Sequence, residues 1–176
     1  QVLTTDDVCG KTADARGITT ENLPDIEATN ALVMGKDGTV YYGRGADDQV
    51  KIASITKVMT AILTVENCKM DEKVTVSNAA ATVGNSTAGL LEGDKLTVEQ
   101  ALRGLMIPSG NDAATAMAEH IAGSTEGFVA LMNQKAEELG MDNTTFVNCH
   151  GLDADGHLTT AHDIALMSAE LLEKHP

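Results

Sequence analysis

The stretch KIASITKVMTAILTVEN, residues 51–67, decides how the chain is read. Ile52, Ala53, Ile55, Val58, Met59, Ala61, Ile62, Leu63 and Val65 leave it almost no polar face. A helix that is apolar nearly all round is a buried one. Yet Ser54 and Lys57 stand at its start, three residues apart and therefore on one face. Burying an ammonium is costly, so a lysine beside a hydroxyl at a buried helix N-terminus points to chemistry. The plainer readings are a serine that caps the helix and a lysine that runs its stem along apolar surface.

Outward from this helix, residues 28–34 (ATNALVM) and 39–43 (TVYYG) are short runs with β-branched or aromatic residues, separated by the turn signal Gly35-Lys36-Asp37-Gly38. They predict an antiparallel hairpin. Residues 1–24 are polar with little periodicity and read as an N-terminal arm, giving a division into an arm (1–25) and one domain (26–176). Val74 to Val76 reads as extended, and residues 77–93 as one helical turn and a loop. Thr97 with Gln100 predicts a capping box and a helix that stops before Pro108. Further helices are expected from Asp112 to Ile121, from Ser124 or Thr125 to Leu139, and from a second box at Thr160 and Asp163 to about Lys174. Gly123 and Gly140 supply stops. Two strands make a poor sheet alone, so the hairpin and the buried helix read as part of an α/β layer whose remaining strands lie outside this sequence.

The chain has 176 residues, 43% of them apolar, enough for one domain with a sizeable core. Aromatics are only 2%, so the eight Met join Ala, Leu, Val and Ile as core material. A net charge of −14 argues against nucleic-acid binding, which needs clustered Lys and Arg, and against adhesion to anionic lipid. No run is long enough to span a bilayer. The first residue is Gln1 rather than Met, which reads as a processed or trimmed product. Cys9, Cys68 and Cys149 are an odd count without metal-ligand spacing and allow at most one intramolecular disulfide. His150, His157 and His162 with Asp153 and Asp155 offer no i,i+4 histidine pair, and Leu158 stands where a calcium loop needs glycine. No metal site is expected.

Ser54-Ile55-Thr56-Lys57 matches S-x-x-K, and Ser109-Gly110-Asn111 matches S-x-N. Each is a weak signal alone. Their order is stronger: the first opens a buried helix after a hairpin, and the second sits in a turn between two helices about 55 residues later. This pattern resembles the penicillin-recognising serine enzymes, whose known signature is S-x-x-K, S-x-N and K-T-G. It is most similar to the low-molecular-mass penicillin-binding proteins that act as D-alanyl-D-alanine carboxypeptidases. The segments ASITKVMTAIL, LRGLMIPSGNDAATAMAEHIAG and FVNCHGLDADGHLTTAHDIALMS carry the likeness over nearly the whole chain. Glycine inside the second motif favours the carboxypeptidases over class A β-lactamases, which usually carry Asp there.

The resemblance implies an α/β (α+β) fold of the β-lactamase/D,D-peptidase type, an antiparallel sheet packed on a central helix beside a mostly helical subdomain. Only the first hairpin of that sheet is expected here. It implies Ser54 as nucleophile, Lys57 as base, Ser109 as proton relay to the leaving amine, and Asn111 as the group that orients Lys57 and binds substrate. His150, in a segment like the family's H-G-L, is expected near the cleft or as a support of its loop. The plainer roles are a cap for Asn111 or Asp112 and a turn residue for Ser109. The implied substrate is a peptidoglycan stem peptide ending in D-Ala-D-Ala, β-lactams acylate the same serine, no cofactor is implied, and the protein is expected to be exported to the cell-wall side of the membrane. One departure stands out: the chain contains no Lys-Thr-Gly, which the family carries on a later strand. A fragment of a longer protein is therefore expected. A β-lactamase and a non-catalytic penicillin-binding sensor of the same fold are the alternatives.

Overall fold

The computed structural model describes residues 6–8, 11–12 and 26–175. Its centre is α1, Thr56–Asn67, in which Met59 and Ile62 are wholly buried. The helix is shorter than the apolar run that announces it. Val50–Lys51 is a strand, β5, and residues 53–55 form a turn before the first helical residue. Around α1 pack α3 (Val98–Met106), α4 (Asn111–Ala122), α5 (Thr125–Glu138) and α6 (Ala161–Lys174). The short α2, Asn78–Thr82, lies on α4.

α4 is as central as α1. Ala113, Ala114, Ala116, Met117 and Ala118 are all fully buried, so four alanines let neighbouring helices approach closely from several sides. The main core joins Ile52, Met59, Ile62, Leu105, Met132 and Met167 with Phe128 and Phe146, the only two phenylalanines in the chain. A second cluster lies on the other side of α4, where Val74, Val76, Leu96 and Val98 meet Ala116 and Met117.

The expected hairpin is present as β3 (Ala31–Met34) and β4 (Val40–Arg44), antiparallel with Val33 opposite Tyr42. Gly38 takes a left-handed conformation (φ 80°), which closes the turn without a Cβ penalty. The sheet has four strands in the order β2-β1-β4-β3, because β1 (Asp6–Val8) and β2 (Lys11–Thr12) extend it beyond β4. These two fall in the stretch read as an arm; the rest of residues 1–25 lies outside the described residues.

Two smaller ribbons organise the remainder. β6 (Lys73–Thr75) pairs with β7 (Lys95–Thr97), and β5 pairs with β8 (Leu158–Thr159). The second is decisive for the site. It sets the turn that follows β5 beside the loop that precedes β8, and Ile52 N–H donating to His157 O continues the pairing.

Apart from the start of α1, helix ends follow the sequence signals with two exceptions. The Thr97–Gln100 capping box is complete, Ser77 and Ser124 cap α2 and α5, and Gly123 ends α4 with φ 76°. At α6 only half of the expected box forms. The Thr160 hydroxyl accepts from Asp163 N–H, but the Asp163 carboxylate turns away to accept from Asn143 N–H and the Thr144 hydroxyl. At α4 the N-cap is Gly110, with no side-chain cap. Replacing Thr97 by Ala removes one half of a reciprocal cap and is expected to cost about 1 kcal/mol, read as a lower urea midpoint with unchanged slope.

Candidate active site

Ser54 sits in the turn 53–55, where three successive i→i−3 hydrogen bonds (Thr56 N–H to Ala53 O, Lys57 N–H to Ser54 O, Val58 N–H to Ile55 O) wind the chain into α1. The N-cap position belongs to Ile55, which has no capping side chain. The Ser54 hydroxyl is therefore not spent on capping. It is exposed, and Lys57 Nζ donates to its Oγ at 3.2 Å. The Ser54 amide N–H has no partner among the described residues, which leaves a backbone donor at the positive end of α1.

Lys57 is 3% exposed. Burial, the dominant effect, lowers its pKa from the ordinary lysine value, while Cys149 acts in the opposite sense. Its second hydrogen bond goes to the backbone carbonyl of His150, at 2.6 Å. One turn further along the same face of α1, the Thr60 hydroxyl donates to Cys149 O at 2.7 Å. Two consecutive carbonyls are thus pinned to the helix that carries the lysine.

The loop bearing those carbonyls is shaped locally. The Asn148 side-chain oxygen accepts from Gly151 N–H at 2.7 Å and His150 N–H at 3.3 Å, and its amide donates to Leu152 O. His150 Nδ1 accepts from Leu152 N–H, so the ring serves the loop while the carbonyl serves the lysine. Burial, then the charges of Lys57 and His157, push the His150 pKa down to about 4. Gly151 has φ 93°, and a Cβ there would run into the Ala53 carbonyl and come within 3.0 Å of Ser54 N. The loop lies directly on the Ser54 backbone.

His157 braces the same junction. Val147 N–H donates to its Nδ1, which makes Nε2 the protonated nitrogen and the donor to the Thr56 hydroxyl at 2.8 Å. It is 1% exposed and stands edge-on to Phe146, a structural role.

The second motif is held by backbone contacts. Ser109 adopts φ 58°, an uncommon conformation for a residue with a Cβ. Gly110 has ordinary dihedrals but no room: a Cβ would lie 2.6 Å from Gly104 O and 3.0 Å from Ala88 N. Asn111 N–H donates to Ser86 O, and its amide donates to Gly84 O at 3.1 Å. Asp112, 1% exposed, accepts from the backbone N–H groups of Ala88, Leu90 and Ala113. It ties the loop 84–90 to α4, a role for which its sequence position suggests only a cap.

The structure thus joins Ser54, Lys57 and His150 directly. It places Ser109 and Asn111 at the start of α4, which packs on α1, but no hydrogen bond links either to Lys57. The expected orienting contact from Asn111 is replaced by the His150 carbonyl, and the Asn111 amide is engaged by Gly84. Sequence reasoning missed Thr60, Asn148 and Asp112. The first two had faint signals: a threonine one turn beyond Lys57, and an asparagine three residues before a glycine. Among the described residues, the two groups of side chains arranged to hold a metal include none of these site residues.

Comparison with known proteins finds relatives that cover most of this chain. A family model described as D-alanyl-D-alanine carboxypeptidase matches residues 17–176. The D-alanyl-D-alanine carboxypeptidase DacF of Bacillus subtilis (strain 168) is 44% identical over 153 residues, 84% of this chain and 39% of its own length. The D-alanyl-D-alanine carboxypeptidase DacD of Francisella tularensis superposes with a TM-score of 0.84 at 33% identity, covering 92% of this chain and 42% of that one. Penicillin-binding protein 6B of Escherichia coli gives a TM-score of 0.81 at 35% identity, over 88% of this chain and 52% of that one. The chain spans about two fifths of the length of the curated relatives it matches. A serine-lysine pair on a buried helix, an S-G-N turn on its neighbour and these likenesses make one conclusion: the chain belongs to the D-alanyl-D-alanine carboxypeptidase family.

Proposed function

We propose that the polypeptide carrying this chain is a serine D,D-carboxypeptidase that removes the terminal D-Ala from peptidoglycan stem peptides on the cell-wall side of the membrane, and that β-lactams acylate the same serine. The observation that carries this reading is the Lys57 amine, buried and 3.2 Å from the Ser54 hydroxyl. Burial favours its neutral form, and a neutral amine at that distance is placed to take the hydroxyl proton. Ser54 Oγ then attacks the carbonyl carbon of the penultimate D-Ala. The Ser54 N–H, at the N-terminal end of α1, donates to the oxyanion. Lys57 returns the proton to the departing D-Ala amine, with Ser109 as relay, and water hydrolyses the acyl-enzyme. Asn111 contributes to substrate binding from the start of α4.

In this reading residues 26–176 are part of one catalytic domain completed by further strands, one bearing the family's third motif. An apolar groove of about 630 Å³ supports it. The groove runs between β3 and α6, bordered by Leu32, Met34, Ile55, Ile164 and Leu172, and β3 is one edge of the sheet. Among the described residues no helix is long and apolar enough to cross a membrane.

A fluorescent penicillin should label the intact polypeptide stably, and Ser54→Ala should abolish labelling; equal labelling of the variant refutes the proposal. Rapid turnover of nitrocefin instead of a long-lived adduct would make the protein a β-lactamase. Acylation should rise with pH as Lys57 loses its proton, with a midpoint below the ordinary lysine value. Lys57→Arg, which stays charged, should lack that rise and lose about 10²–10⁴-fold where the parent's Lys57 is neutral. Gly151→Ala should slow acylation by displacing the 53–54 backbone, whereas His150→Gln, which keeps the carbonyl, should leave it nearly unchanged.

His150 also sets an acid limit. Its folded pKa, about 4, lies below the ordinary 6.5. Above pH 6.5 both folded and unfolded states are neutral. Between 6.5 and 4 the unfolded chain takes up a proton that the fold refuses, so stability falls as pH drops through that window. Melting temperatures across it should fall less steeply in His150→Gln.

A further inference from the structure

Away from the serine site, three side chains with no part in the proposed chemistry converge at the far end of α1. Cys68 is the C-cap of α1, Glu72 lies in the turn that follows, and His120 is near the end of α4. The Cys68 Sγ, a Glu72 carboxylate oxygen and a His120 ring nitrogen lie within 4.8 Å of one another. We propose that these three residues bind a divalent transition-metal ion of the Zn²⁺ type, which clips together the C-terminal ends of the two helices whose N-terminal ends carry the serine motifs.

The donor set is the first reason. Thiolate, imidazole and carboxylate together suit Zn²⁺ or Co²⁺ and not the oxygen-seeking Mg²⁺ or Ca²⁺. Geometry is the second. Two nitrogen or oxygen ligands about 2.0–2.1 Å from a tetrahedral Zn²⁺ stand about 3.3 Å apart. Glu72 Oε2 and His120 Nε2 are 3.5 Å apart. The third reason is preorganisation. Glu72 Oε1 accepts from Lys69 N–H at 3.0 Å, which fixes the carboxylate with its other oxygen toward His120. A ligating carboxylate held by such a second hydrogen bond is the usual arrangement around a bound metal. The backbone is anchored on both sides: Cys68 N–H donates to Thr64 O, Glu72 N–H to Lys69 O, and Val98 N–H to Glu72 O.

The half-buried Cys68 thiol stands beside this His–Glu pair while the residue packs against the apolar cluster of Val74, Val76 and Leu96. The contrast with Glu66, Glu170 and His175 is informative. That group also converges, but Lys135 already sits 2.6 Å from Glu66 and Lys174 2.9 Å from Glu170, so its cations are built in. At Cys68, binding breaks the S–H bond, releases the proton to solvent and forms the metal–sulfur bond, with water completing a four-coordinate ion. Cys68 is eleven residues from Lys57, about 16 Å along the helix. The ion would brace the scaffold and take no part in acyl transfer.

Titrating Co²⁺ into the reduced, chelator-treated intact polypeptide tests this independently of any catalytic reading. The expected result is one equivalent bound with a thiolate-to-cobalt charge-transfer band. That band should vanish in Cys68→Ser, and affinity should fall at least about 10-fold in His120→Ala and in the near-isosteric Glu72→Gln. Zn²⁺ should raise the melting temperature of the parent and not of Cys68→Ser. No band in the parent, or an unchanged band in Cys68→Ser, would overturn the proposal. Unchanged metal-free circular dichroism of Glu72→Gln shows that its loss of affinity is not loss of fold.

Discussion

A lysine amine removed from water loses the solvation of its charged form, and the protein must either pair the charge or let the proton go. Among the described residues Lys57 faces no carboxylate. Its partners are a neutral hydroxyl and a backbone carbonyl. Such partners hold the nitrogen in place without restoring the stabilisation that an anion would give the ammonium. Position and protonation are thereby set by different agents: His150 O and Ser54 Oγ fix where the nitrogen is, and burial weakens its hold on the proton. The rest of the structure serves these two requirements. Thr60 and Thr56 secure the loop from the helix side, Asn148 and His157 from the loop side, and Gly151 admits the close backbone contact.

The S-G-N turn obeys a different logic. Nearly everything that holds it is a backbone group: Gly104 O, Ser86 O and Gly84 O on one side, and the amides gathered by Asp112 on the other. Gly110 is required there by space and not by dihedral freedom, whereas Ser109 carries the unusual dihedral. Holding a non-glycine residue at positive φ requires that its surroundings over-determine it, and the bonds that follow it, Gly110 N–H to Gly104 O and Asn111 N–H to Ser86 O, supply that constraint.

Much of this was legible in the sequence wherever a feature repeats or punctuates. The apolar run of α1, the Thr97 box, the Gly123 and Gly140 stops and the β3–β4 turn are local patterns with local causes. Ser54 and Lys57 stood out because polar groups interrupt an apolar surface. The ribbons β5–β8 and β6–β7 did not stand out, since strands of two or three residues are too short to show alternation. Nor did the partner of Lys57: a carbonyl belongs to every residue alike, so no side-chain identity at 150 could announce it. Asp163 misled for a related reason. Its spacing fits a cap, but a tertiary partner at residues 143–144 outcompeted the local one. The alanines of α4, individually unremarkable, became informative only once helices were seen on every side.

The pairing of β5 with β8 has a consequence in time. The interactions that define the surroundings of Ser54 and Lys57 join positions far apart in the chain: Thr56 with His157, 101 residues away, Lys57 with His150, 93, and Thr60 with Cys149, 89. The entropy of closing a loop grows only logarithmically with its length, so these contacts are affordable in the finished fold. Contacts so distant in sequence slow folding all the same. While the chain is being synthesised, α1 emerges with a serine and a lysine whose environment does not yet exist. Its solvated amine keeps its proton until residues 148–159 arrive to cover it. On the proposed reading Ser54 therefore stays inert until residues 148–159 have folded against α1, and its reactivity is a product of tertiary structure.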